Sequence, residues 1–222
     1  VHNLSEQTIQ QCKQHLKKGS NTLGVRVSDH QADLMMLHAK ELITWNKKIN
    51  LTAIKEPLQI AEKHFIDSIA CFSSLENIKS LMDIGAGGGF PGIPIKIMCP
   101  ELKVVLVDAS RKKVNFLKHV IRLLRLENIE AIHSRVEDLH DHGDYKNRFD
   151  VVISRAFTEL SGFVKLAAPF LNEHGMIHAL KGKQGEKEVT PEILKNFNLD
   201  TSHYQLPFEK SERFLIRLSA KD

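Results

Sequence analysis

Leu81-Met82-Asp83-Ile84-Gly85-Ala86-Gly87-Gly88-Gly89-Phe90-Pro91-Gly92-Ile93-Pro94 runs a short apolar segment into five glycines and two prolines. A buried strand ending at Ile84 and turning through glycine into a helix start forms a ligand cradle. Glycine permits positive φ and close backbone approach. A helix start presents unpaired N–H groups and partial positive charge, which suit an anion. Proline at the first helical position loses no hydrogen bond. Gly87–Gly92 matches the dinucleotide pattern G-x-G-x-x-G, but out of register. The strand ends at Ile84, so Gly85 is the first turn glycine and Phe90 falls where a small residue is needed for close helix packing. No Gly-Lys-Ser/Thr closes the turn, which excludes a P-loop. What remains is Asp-x-Gly-x-Gly-x-Gly, a carboxylate followed by a glycine turn.

Outward from this turn the chain divides in two. Residues 1–75 read as a helical N-terminal cap. Weak helical spacing covers Val1–Asn21. Ser28 caps a stronger helix over Ser28–Lys48, and Pro57 starts another that runs to about Ser74. On the last, His64, Asp67 and Ser68 share one side. Adjacent helical turns cannot bracket a substrate as a catalytic triad does, so a hydrogen-bonding cluster facing the glycine turn is expected. Residues 76–222 alternate short apolar runs with helices, giving strands at Leu81–Ile84, Lys103–Val107, Ile129–Ile132, Phe149–Ile153 and Gly175–Leu180. Helices are expected over Arg111–Arg125, capped by Ser110, over Leu160–Leu171 and over Lys187–Phe197. Thr201–Gln205 and Arg213–Leu218 read as two last strands, joined by a loop too short for a helical crossover and therefore antiparallel. The expected fold is α/β, a mainly parallel seven-stranded sheet with helices on both faces.

In such sheets ligands bind at the carboxyl ends of the strands. Here each end carries a polar group: Asp83 and the glycines, then Asp108 about 20 residues beyond the turn, the distance at which a carboxylate accepts both ribose hydroxyls. Val136 follows the third strand with Glu137 and Asp138, an apolar wall beside an acid able to accept from an amino group. Arg155 follows the fourth. Asp108 alone does not separate NAD from S-adenosylmethionine; Phe90 and the acid after the third strand favour the latter.

Three scattered cysteines, Cys12, Cys71 and Cys99, lack metal spacing and read as reduced thiols. No apolar run approaches the ~20 residues of a membrane span, and the start lacks a leader pattern. A cytoplasmic, monomeric protein without membrane or metal is expected. The net charge of +4 permits a nucleic-acid partner.

Asp-x-Gly-x-Gly-x-Gly resembles motif I of the S-adenosylmethionine-dependent methyltransferases. Among methyl acceptors, exocyclic amines go with Asn/Asp-Pro-Pro-aromatic after the fourth strand, where this chain has Ser154-Arg155-Ala156-Phe157, and cytosine C5 needs a strand-end cysteine. Guanine N7 has a free lone pair and needs no base, leaving catalysis to alignment, worth ~7–11 kcal/mol in favourable cases. Trp45-Asn46…Asn50-Leu51-Thr52, His64–Ser68, Asp83–Pro94, Ser134-Arg135-Val136-Glu137, Ile153–Phe157 and Leu180-Lys181-Gly182 occur in this order. Together they resemble the GidB (RsmG) family of bacterial 16S ribosomal RNA guanine-N7 methyltransferases, from about Asp33 to the end of the chain. The resemblance implies a class I methyltransferase (Rossmann-like) fold and S-adenosyl-L-methionine contacts at Gly85, Phe90, Val136, Glu137 and Arg155. With the turn and strand-end readings, the cofactor set is Asp83, Gly85, Gly87, Phe90, Asp108, Val136, Glu137 and Arg155. Arg155 is expected between cofactor and base, Arg135 and Lys181 complete the catalytic set, and the strand-end cations Arg135, Arg155, Lys181 and Arg213 are expected to converge as a basic surface, with Arg135, Lys181 and Arg213 on RNA phosphates. Gly88 stands where such families commonly carry proline. The partner would be 16S rRNA or the small ribosomal subunit. Two rivals stay open: an NAD-dependent oxidoreductase, and a non-catalytic RNA-binding module with this fold.

Overall fold

The computed structural model describes residues 4–140, 143–155 and 158–221. One sheet holds β1 (Ser80–Ile84), β2 (Lys103–Asp108), β3 (Ile129–His133), β4 (Phe149–Arg155), β5 (Leu171–Gly182), β6 (Phe197–Gln205) and β7 (Glu212–Ala220), in the order β3-β2-β1-β4-β5-β7-β6. β1 to β5 pair in parallel. β7 runs antiparallel to both β5 and β6, as the short loop between the last two strands requires.

Pleating sends alternate strand residues into two cores. Leu81, Val104, Leu106, Val151 and Ile153 enter one; Met82, Ile84, Val105, Val107 and Val152 enter the other. Strands covered on both faces have no polar side, which is why the sequence shows unbroken apolar runs. The helices are α1 (Glu6–Thr22), α2 (Asp29–Ile49), α3 (Pro57–Ile60), α4 (Asp67–Ile69), α5 (Gly92–Met98), α6 (Arg111–Leu123), α7 (Val136–Leu139), α8 (Leu160–Ala167) and α9 (Pro191–Asn196). The first core takes Leu16 of α1, Met35 and Leu42 of α2, Ile95 of α5 and Phe116 of α6. The second takes Leu139 of α7, Phe163 of α8 and Ile193 of α9. The N-terminal helices thus share a core with the sheet face beside the glycine turn.

Local signals set the ends of these elements. Ser28 and Gln31 exchange hydrogen bonds in a capping box at the start of α2, worth about 1 kcal/mol. Asn50 closes α2 in the left-handed region at φ 50°. The single helix expected from Pro57 is instead α3, a π-helical segment over Ala61–Ile66, and α4. Polar groups anchor it in several directions. Glu62 accepts from the N–H groups of Phe208 and Glu209, while His64 and Asp67 bond to Arg155 and the C-terminal hairpin. Such wide turns occur often at functional sites. Phe65, fully buried on this segment, contributes roughly 1.5–3 kcal/mol by leaving water.

Candidate active site

The glycine turn is fixed from β2. Gly85 and Ala86 donate to the carbonyl of Val107 at 2.9 and 3.1 Å. Gly85, Gly87 and Gly89 have φ of 73°, 56° and 90°, a region that costs other residues strain. Asp108 ties the turn to α6: Oδ2 accepts from Gly87 N–H at 3.0 Å and Oδ1 from Ser110 N–H at 2.8 Å. Ser110 holds the N-cap position, but its side chain makes no capping bond. The sequence expectation for Ser110 is therefore corrected, because the Asp108 carboxylate bonds the backbone there.

On this side lies an open groove of about 430 Å³, lined by Gly85, Asp108, Lys113, Arg135, Val136 and Glu137 among others. Val136 is buried and gives it an apolar wall; the Glu137 carboxylate is exposed. Each Asp108 oxygen keeps a free acceptor position. Four of the expected cofactor residues, Gly85, Asp108, Val136 and Glu137, line this groove, and Gly87 bonds to one of them.

The other expected residues lie across the turn, inside the protein. Asp83 is fully buried and its Oδ2 accepts from Gly92 N–H at 2.8 Å. Its Oδ1 has no partner among the described residues. Burial pushes its carboxyl up to about 7, against the downward pull of the Gly92 bond. Phe90 is buried with His38 and His64 stacked on it at 4.9 and 4.6 Å between ring centroids. The Arg155 guanidinium lies 5.2 Å from the same ring's centroid.

Arg155 donates from Nη1 to the Lys63 carbonyl at 2.7 Å and from Nη2 to His64 Nδ1 at 2.9 Å. A guanidinium has no acceptor, so His64 Nδ1 carries a lone pair and Nε2 carries the proton. That Nε2–H then donates to Thr52 Oγ1 at 2.8 Å. Burial, with Arg155 beside it, lowers the His64 pKa to about 3. Asp67 is the shared anion of this knot. It lies 3.6 Å from Arg155 Nη1 and 3.2 Å from Arg213 Nε, and it accepts from Tyr204 Oη at 2.9 Å. The side-chain cluster expected at His64, Asp67 and Ser68 exists, with Ser68 Oγ donating to the His64 carbonyl.

The four strand-end cations do not converge as expected. Sheet order places Arg155, Lys181 and Arg213 on neighbouring strands, while Arg135 stands beyond β1 and β2 on the far flank. Lys181 donates to the Thr158 carbonyl and to Glu188 at 2.6 and 2.7 Å. Carboxylates thus hold Arg155, Lys181 and Arg213, and Arg135 alone of the four makes no ion pair among the described residues. Ala156 and Phe157 of the Ser154–Phe157 motif lie outside the described residues. Sequence reasoning missed His38 and Tyr204. His38 sits between Met35 and Leu42 on the apolar side of α2, a polar residue at a core position, and bonds the Gly88 carbonyl at 2.8 Å. Nothing local marks Tyr204, whose partner is 137 residues away.

Residues 31–216 match the family model described as GidB, rRNA small subunit methyltransferase G. The chain belongs to this family. The "Ribosomal RNA small subunit methyltransferase G" of Geobacter sp. (strain M21) is 45% identical over 82% of this chain and 82% of its own length. The protein of the same name from Geobacter sulfurreducens is 40% identical over 91% of this chain and 95% of its own. Among solved structures, a SAM dependent methyltransferase from Aquifex aeolicus aligns with a TM-score of 0.54 at 15% identity, covering 73% of this chain and 93% of that one. That likeness shows the class I methyltransferase fold. In this GidB family member the groove residues fit S-adenosyl-L-methionine. Gly87, at positive φ, has room where a side chain would stand, Asp108 has acceptor positions for a diol, and Glu137 stands by an apolar wall suited to an aminated ring.

Proposed function

We propose that the protein transfers a methyl group from S-adenosyl-L-methionine to N7 of a guanine in 16S ribosomal RNA, acting as a cytoplasmic monomer. The observation that carries this reading is the family match coinciding with an open groove at the glycine turn, flanked by the carboxylates of Asp108 and Glu137. Asp108 would hold the ribose, Glu137 the adenine edge, and Gly85 and Gly87 the amino-acid end. When bound, the cofactor supplies an electrophilic methyl group on a sulfonium. The protein's own part is alignment and exclusion of water.

The chemistry of the neighbouring groups supports an acceptor that has no proton to lose. The Nδ1 lone pair of His64 is occupied by Arg155, and its pKa of about 3 leaves it a poor base. Cys71 is buried, and burial pushes its thiol up to about 12, which unsuits it to cytosine C5 attack. Arg155, held over Phe90, would present a planar cation at the base, and Arg135, which lines the groove without an ion pair among the described residues, would take a phosphate.

The oxidoreductase alternative is not favoured. A dinucleotide-binding sheet runs 3-2-1-4-5-6, whereas here an antiparallel β7 separates β5 from β6. Transfer of labelled methyl from S-adenosyl-L-methionine to small ribosomal subunits tests the proposal, with the label expected at guanine N7. Label at another atom would overturn the acceptor. RNA binding without methyl transfer would establish the non-catalytic alternative.

A further inference from the structure

The cations expected to grip RNA are mostly neutralised by carboxylates, so the anionic strand needs another surface. α6 supplies one. From Arg111 to Arg125 the sequence has six cations, Arg111, Lys112, Lys113, Lys118, Arg122 and Arg125, and no acid. None of the six forms an ion pair among the described residues. Arg111, Asn115, Lys118 and Arg122 recur at spacings of four, three and four, one stripe along the helix, and all four are exposed. Arg111, Lys112 and Lys113 occupy the first turn, where the helix dipole disfavours cations. This arrangement opposes stability and answers an external anion.

The helix borders two recesses, one through Lys113, which is not part of the stripe, and one through Lys118 and Arg122 of the stripe. At its start, Lys113 lines the groove that holds Asp108 and Glu137. Farther along, Lys118 and Arg122 line a second groove of about 590 Å³ together with Trp45, His119, Ile129 and Glu130. His119 there is bonded to Glu41 at 2.7 Å, and Trp45 and His119 lie 5.2 Å apart between ring centroids. Partly exposed rings beside arginine and lysine are the composition with which proteins hold single-stranded nucleic acid, phosphates on the cations and a base against the rings.

We propose that the outward face of α6 is the track for a single-stranded segment of the RNA substrate, with phosphates on Arg111, Lys118 and Arg122 and an unpaired base at Trp45 and His119. The proposal rests on the RNA methyltransferase reading and names the surface that reading lacks. Trp45 is the chain's single tryptophan, so its fluorescence reports on this groove alone. Titration of the protein with a short single-stranded RNA oligonucleotide is expected to change Trp45 emission with the same midpoint as binding measured by filter retention. The triple variant Arg111→Gln/Lys118→Gln/Arg122→Gln is expected to lower the slope of log affinity against log salt by roughly 2 and to raise KM for small ribosomal subunits roughly tenfold. Its kcat and its affinity for S-adenosylhomocysteine are expected to stay unchanged. The control Lys165→Gln/Lys187→Gln/Lys195→Gln removes the same charge from exposed sites elsewhere and is expected to leave both quantities near wild type. Saturated binding with constant Trp45 emission, an unchanged salt slope in the α6 variant, or an equal effect in the control would each overturn the track. Absence of methyl transfer by the wild-type protein would instead remove the function proposed above, while the binding measurements still decide the track.

Discussion

The two flanks of the glycine turn are built from the same residue types and behave as opposites. On the β2–β3 flank, Asp108, Arg135 and Glu137 line an open groove, and the Arg135 and Glu137 side chains have no ion-pair partner among the described residues. On the β4–β7 flank, Arg155 and Arg213 converge on the buried Asp67 carboxylate, which also takes the Tyr204 hydroxyl hydrogen. Both flanks sit at the carboxyl edge of one sheet. One has spare hydrogen-bonding capacity; the other satisfies itself. The rule that ligands bind at strand ends finds the edge, but charge pairing decides which part of the edge is free.

Removing the shared anion is the hardest test of this contrast. Asp67→Ala leaves two arginines in the interior without their carboxylate, and a broken buried pair of this kind typically costs about 3–5 kcal/mol. Urea denaturation is expected to show a loss of that order, with activity lost at temperatures where the variant is still folded, because Arg155 is no longer held over Phe90. A loss below about 1 kcal/mol would mean that the knot is as solvated as the groove.

Next comes the seam between the flanks. A methyl group at Gly92 would stand against Leu106 Cδ2 and 2.8 Å from Asp83 Oδ2. Gly92→Ala is therefore expected to cost about 1–3 kcal/mol through overpacking and to weaken S-adenosylhomocysteine binding by distorting the turn. Calorimetry measures both.

Asp83 gives the comparison a pH axis. Its carboxyl is raised from an ordinary value near 4 to about 7. Between those values the folded state binds a proton that the unfolded state has released, so this group's contribution to stability falls as pH rises and levels off above about 7. The buried neutral histidines His38 and His64, lowered to about 4 and 3, act in the reverse sense: the unfolded chain takes up protons below about 6.5, and stability falls as pH drops. Asp83→Asn keeps an acceptor for Gly92 N–H and removes the first effect only. The stability of the variant relative to wild type is expected to rise from pH 4 to pH 7 and stay flat above, as read from melting temperatures across that range. A constant difference would refute the raised carboxyl.

How much of this was legible in the sequence follows the range of each interaction. Val104–Val107 and Val151–Ile153 declare buried parallel strands because each residue's environment is apolar whichever face it points to. Ser28 and Gln31 announce the start of α2 because a cap is made within four residues. The lining of the open groove was likewise readable, since Asp108 ends β2 and Val136 and Glu137 open α7 just after β3. Arg155 and Arg135 look alike in sequence, a cation after a strand. What separates them is Asp67 on a different element and Tyr204 on β6, contacts that no local pattern records. The π-helical segment escaped for a related reason: Glu62, His64 and Asp67 bond in different directions, and a 3.6-residue period cannot express that.

A finer break in the knot probes how Arg155 is held. Thr52→Val removes the acceptor of both His64 Nε2–H and the Ile54 N–H, and two orphaned donors in a partly buried site are expected to cost about 1–2 kcal/mol. The Thr52 backbone stays bound to the Asn46 side chain through two bonds of 2.8 and 2.9 Å, so the loop keeps its place and the loss is confined to the two donors that Thr52 Oγ1 served. Nitrogen-15 chemical shifts of His64 are expected to show mixing of the two neutral tautomers once Nε2–H has no fixed acceptor. A single tautomer in the variant would mean that Arg155 alone sets it.

The smallest effect on the fold belongs to the open flank, and it is the sharpest statement of the difference. Glu137→Gln deletes a charge that is exposed and makes no hydrogen bond or ion pair among the described residues. Stability is expected to stay within about 0.5 kcal/mol of wild type, as for most surface substitutions. Binding is a separate matter, because an ionised acceptor to a ligand's N–H donor contributes more than a neutral one. Titration with S-adenosylhomocysteine is therefore expected to show roughly tenfold weaker binding at unchanged stability. A residue that costs the ligand and not the fold is what an unfilled site predicts; the reverse result, lost stability with intact binding, would place Glu137 with Asp67 among the self-satisfied groups.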